Sequence, residues 1–132
     1  MEEVLLYNLD NEKGRRIRQL CAAMRIKVRV VDRADYLEPV GAVAGIPGVP
    51  RTGAPFAGPS FLDEMMVFKG FTDQALQAFL SRYRQAGIGK VDLKAGLTPY
   101  NIMWNSFQLR DELRREHEEM TRLEREQKQQ KP

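Results

Sequence analysis

The most concentrated chemistry in this chain lies in eleven positions that hold Lys94, Thr98, Tyr100, Asn101 and Trp104. A lysine beside free backbone N–H groups at a helix start can hold a small anion or a nucleotide phosphate, and an aromatic pair can stack on a planar group. The same residues have a structural use. Thr98 and Asn101 can satisfy turn backbone, Trp104 can pack in a core, and Lys94 can lay its stem on apolar surface. Other reactive groups are sparse. His117, beside Glu116, is the sole histidine, so any histidine-dependent triad or metal cluster would rest on it alone. Cys21 is the sole cysteine, which excludes an internal disulfide. It stands among Ile17, Leu20 and Met24 on an apolar helical face, where cysteine is usually an inert small hydrophobe. The sequence has no P-loop, no G-x-G-x-x-G after a strand, no G-x-S-x-G and no H-E-x-x-H. It therefore points away from familiar catalysis, with Lys94 and His117 the reactive groups an enzyme would have to use. No metal or cofactor is expected.

Charge supplies a second candidate. The whole chain balances 21 basic against 18 acidic residues, too small an excess to imply a nucleic-acid partner by itself. Locally, Lys13 to Arg33 holds eight basic residues against Asp32, and Arg15, Arg18, Lys27 and Arg29 form a surface that could meet phosphates. Tyr7 is the one aromatic residue near it, which is thin support for base stacking. From Arg110 to Lys131 the charges cancel, seven against seven.

The elements that must position these residues follow from periodicity. Val4 to Tyr7 is a short apolar run that ends at the turn residues Asp10 and Asn11, and so reads as a buried strand. Ile17, Leu20, Cys21 and Met24 recur at helical spacing, and Ile26, Val28 and Val30 then alternate with Lys27 and Arg29 as in a strand. The order recurs about sixty residues later. Met65 to Phe68 reads as a strand, and Thr72 caps a helix with Leu76, Phe79, Leu80 and Tyr83 on its apolar face until Gly87. Val91 and Leu93 close the second unit. Between the units, Pro39 to Pro59 holds five prolines and five glycines in 21 residues, with Arg51 its one charge. That density predicts a connector without regular structure, apart from a short helical turn near Pro39. As a lid or partner-binding loop it would use Ile46, Val49 and Phe56. Asn105 with Gln108 is a capping box for a last helix whose stripe is Leu109, Leu113, Met120 and Leu123.

The stretches FKGFTDQALQAFLSRYRQAGI and VDLKAGLTPYNIMWNSFQLRDELRREHEEM resemble a bacterial family catalogued only as a domain of unknown function. The likeness covers roughly 65–120 and rests on an F-x-G-F strand end and an L-K-A-x-L-T-P-x-N-x-x-W run. The matching positions are Phe68, Gly70, Phe71, Leu93, Lys94, Ala95, Leu97, Thr98, Asn101, Trp104, Glu116 and His117. Gly96 departs from the pattern, replacing a bulkier aliphatic residue. The resemblance implies no activity and no role for any of these positions.

With 132 residues the chain is about one domain long. It is expected to form a single domain over 1–126, with strand-helix-strand units at 3–33 and 64–94, a connector at 39–59, a helix at 105–126 and a frayed tail at 127–132. The expected fold is α+β, a ferredoxin-like sandwich whose two units interleave into a four-stranded antiparallel sheet with helices on one face and a C-terminal helix added. A small doubly wound α/β sheet is the alternative. Met1 is followed by Glu2 and Glu3, unlike a secretory signal, and no run approaches 18 apolar residues, so a cytoplasmic location without membrane contact is expected. The leading expectation is a non-catalytic intracellular binding or regulatory module that contacts a protein partner or a second copy of itself. The alternatives are a nucleic-acid binder using the 13–33 surface and a small-anion or nucleotide site at 94–104.

Overall fold

The computed structural model describes residues 1–130. Along the chain run β1 (Glu3–Tyr7), α1 (Glu12–Ala23), β2 (Lys27–Val30), a 3-10 turn (Arg33–Asp35) and α2 (Val40–Val43). They are followed by β3 (Met65–Lys69), α3 (Asp73–Gln85), β4 (Leu93–Gly96) and α4 (Ser106–Gln130). The strands form one four-stranded sheet in the order β2-β1-β3-β4. The α+β class, the two strand-helix-strand units and the last helix are therefore as the sequence predicts.

The units do not interleave. β1 pairs parallel with β2, β3 pairs parallel with β4, and a single antiparallel seam between β1 and β3 joins them. Each helical crossover returns the chain beside the strand it left. The runs Glu3–Tyr7 and Met65–Lys69 are buried along nearly their whole length and occupy the centre. The more polar Lys27–Val30 and Leu93–Gly96 take the edges.

Helices also cover both faces, where the sequence suggested one. Val4, Leu6, Met66 and Phe68 pack against Ile17, Leu20 and Cys21 of α1 and Phe79 and Tyr83 of α3. On the opposite face Leu5, Tyr7, Met65, Val67 and Leu93 meet Val40, Val43, Phe61 and Leu109. Central strands that are apolar on both faces need a second cover, and the proline- and glycine-rich connector supplies part of it. Its Phe56 sits edge-on to Phe107 at 5.0 Å, and Ile46 packs on the same cluster, so these two apolar residues serve the protein's own core. The Glu38 carboxylate anchors the connector by accepting from the Thr52 amide at 2.7 Å, the Thr52 hydroxyl at 2.6 Å and the Gly53 amide at 3.1 Å. At Gly41 α2 comes so close to the turn before α4 that a Cβ would lie 2.8 Å from the Ile102 carbonyl oxygen.

Caps fall where the sequence places them. Thr72 accepts from the Ala75 amide, and Asn105 and Gln108 bond reciprocally, while Asn11, which the sequence marks only as a turn residue, also caps α1 by accepting from the Gly14 amide. Helix α4 continues past the expected end at Glu126 to Gln130, while the last positions of the expected tail, 131 and 132, lie outside the described residues.

Candidate functional site

The eleven-residue cluster divides between the two faces of the sheet. Lys94 stands opposite Met66, on the α1/α3 face, and its Nζ donates to the Val91 carbonyl at 2.5 Å. Burial pulls its ammonium below the ordinary lysine value, with nearby Asp92 opposing the shift. Trp104 packs on the opposite cluster with Leu97 and Phe107. Thr98 and Asn101 close the turn between them. The Thr98 hydroxyl accepts from the Tyr100 and Asn101 amides, while Asn101 accepts from the Thr98 amide and donates to the Gly96 carbonyl. Tyr100 is exposed. The segment thus shapes the entry to α4, and Lys94 belongs to a different surface.

The basic surface is divided in the same way. Arg15 and Arg18 project from α1, whereas Arg29 pairs in register with Leu5 and so lies on the far face, 3.4 Å from Glu3. Lys27 stands opposite Glu3. Arg15 pairs with Glu12 on its own helix, and Lys13 reaches Glu64 at 2.6 Å. Arg16 donates to the Ala86 and Gly87 carbonyls, closing the end of α3. Much of the local positive charge is therefore engaged in holding the fold, and what remains free is not on one face.

A grouping that sequence spacing did not reveal surrounds His117. Its Nε2 lies 3.8 Å from Asp92, in a polar groove of about 460 Å³ shared with Lys13, Asp63, Glu64, Lys90 and Arg114. Glu64 shows how far these charges satisfy one another. Burial raises its pKa, but hydrogen bonds from Lys13 and Asn11 outweigh that and hold it below the usual carboxylate value. These residues come from four separate segments, so only the helical phase of α4, which puts Arg114 and His117 on one face, could have hinted at their meeting. Cys21 is fully buried, and burial pushes its thiol up to about 11, which leaves it protonated near neutral pH.

Past this groove, α4 leaves the body. Its 25 residues span about 37 Å at ~1.5 Å per residue. Leu109 is buried and Leu113 half-buried, but Met120 is 62% and Leu123 46% exposed. Among the described residues, the ion pairs beyond His117 are within the helix, as in Arg122 with Glu126 at 3.0 Å.

These features define an α+β domain with a three-layer body and a long, partly unsupported last helix. Residues 64–120 match the model of a protein family described as a domain of unknown function (DUF3783). The match takes in the second strand-helix-strand unit, the turn before α4 and the part of α4 that meets the body. No curated protein and no solved structure matches the chain. No helix among the described residues is long and apolar enough to cross a membrane.

Proposed function

We propose that this chain is a non-catalytic binding module that acts through protein–protein contact, with the outer part of α4 as its contact surface. The observation that carries the reading is the exposure of Met120 and Leu123, one turn apart on a helix segment whose ion pairs, among the described residues, stay within the helix. Apolar side chains paired on a projecting helix suit an apolar groove in another protein, the helix-in-groove mode of recognition. The candidate reactive groups agree with a role other than catalysis. Cys21 is buried and protonated, Lys94 is tied to a backbone carbonyl, and His117 lies among charges that already pair with each other.

The test is the variant Met120→Glu/Leu123→Glu. Both side chains are exposed, so its thermal midpoint should match that of the parent protein. Proteins captured by the parent from native lysate, resolved by mass, should be lost from the variant. Capture of the same proteins at undiminished yield would reject the reading.

A further inference from the structure

We infer that the groove between the C-terminal end of α3 and strand β4 is a binding site for a small amphiphilic carboxylate, an apolar acid whose head group meets Lys94. This inference does not depend on the α4 reading. The groove has a volume of about 430 Å³, within the range of small-molecule sites. Its walls are mainly apolar, formed by Met66, Leu80, Ile88 and Val91, with the Tyr83 ring beside them. Three cations, Arg84, Lys90 and Lys94, lie around it and no acidic side chain lines it. Lys90 is drawn to Asp92 at 3.5 Å, just outside the groove. Lys94 has no carboxylate within ion-pair distance among the described residues and bonds only to the Val91 carbonyl. An ammonium on the rim of an apolar groove favours a ligand that brings one negative charge and a hydrocarbon body, because the head group gains a charge-assisted bond at the rim while the hydrocarbon covers the apolar walls. A bare anion would leave the walls wet, and a neutral hydrocarbon would leave the amine without a counter-ion.

The channel wall is built to admit such a molecule. The loop Gly87-Ile88-Gly89 carries positive φ at both glycines, 64° and 110°, and the Tyr83 hydroxyl holds it by donating to the Gly89 carbonyl at 2.6 Å. Arg16 holds the α3 end from the other side through Ala86 and Gly87. The opening is thus fixed at two points, and the segment between them bears only the Ile88 side chain.

The experiment is titration of the full chain with decanoate, decanol and acetate by calorimetry, with backbone amide NMR shifts as the map. Decanoate should bind saturably and shift the amides of Gly87, Gly89 and Lys94. Decanol and acetate should bind at least about tenfold more weakly, the scale of one charged hydrogen bond. Lys94→Met, which keeps the stem and removes the charge, should weaken decanoate by about tenfold or more and leave decanol unchanged. The inference is overturned if decanoate does not saturate, if its shifts map to Met120 and Leu123, if decanol matches it, or if Lys94→Met binds it as well as the parent protein.

Discussion

The bond that fixes α4 to the sheet joins Tyr7 and Ser106, whose hydroxyl oxygens lie 2.8 Å apart, 99 residues apart in sequence and fully buried. Either hydroxyl could be the donor. Burial raises the Tyr7 pKa, and the bond to Ser106 partly offsets the shift, because the Ser106 hydroxyl can donate to the phenolate oxygen. Tyr7→Phe leaves the Ser106 hydroxyl buried and unpaired, and Ser106→Ala does the same to Tyr7. Each should cost about 1–3 kcal/mol, the desolvation penalty of one orphaned polar group. For 132 residues that corresponds to a fall in Tm of roughly 4–10 °C, at about 2.1 cal/mol/K of unfolding entropy per residue. The double variant removes both partners and should lose less than the two single costs added, with a coupling of about 1 kcal/mol or more. Urea melts of the four proteins give the cycle. Strict additivity, or two near-silent single variants, would refute the view that this bond seats α4.

Three further outcomes follow from the packing. Gly14→Ala would be favourable in an open helix, but here the new Cβ would lie 1.6 Å from the Leu9 carbonyl oxygen, so the variant should melt lower than the parent protein; a higher Tm would contradict this. Raising the pH should destabilise the fold from about pH 9 upward. Cys21 is raised from 9.0 to about 11 and Tyr83 from 10.0 to about 12, with Tyr7 and Tyr36 raised as well. The unfolded chain therefore loses these protons first, and stability present below their ordinary values is lost as pH climbs toward the folded ones. Lys94, lowered by burial, acts in the opposite sense but is one group against four. Thermal melts at pH 7, 9.5 and 11 check this, and a flat profile contradicts it. Glu38→Gln weakens the clamp on Thr52 and Gly53 and should speed tryptic cleavage after Arg51, which also pairs with Asp35 at 2.9 Å; unchanged cleavage would mean that the clamp does not order the connector.

What the sequence made legible was local. The Thr72 cap, the Gly87 stop and the Asn105–Gln108 box each depend on neighbours a few residues away, and each forms as read, whereas β2 forms as a strand without the buried face its alternation predicts, since as an edge strand it leaves Val30 exposed. Strand order was not legible, because parallel and interleaved pairings use the same apolar runs, and only the three-dimensional packing of both faces separates them. Pro39 to Pro59 misled for a related reason. Composition excluded long helices and strands, but it could not show that Glu38 would gather the loop or that Phe56 would find Phe107. Lys94 and Trp104 are close in sequence, yet the strand pleat sends Lys94 to one face and the turn at Thr98–Asn101 carries Trp104 to the other. The spacing of Leu109, Leu113, Met120 and Leu123 predicts one core face along the length of α4. The helix outruns the sheet, so Leu109 is buried while Met120 and Leu123 remain in solvent.

The central claim is that the outer part of α4 meets another protein, and site-specific photo-cross-linking tests it most directly. A photoreactive phenylalanine derivative would replace Met120, Leu123 or, on the other side of the molecule, the exposed Arg18. In native lysate the first two positions should each give the same protein adduct of defined mass, and Arg18 should not. Absence of an adduct at Met120 and Leu123, or the same products from all three positions, would contradict the account.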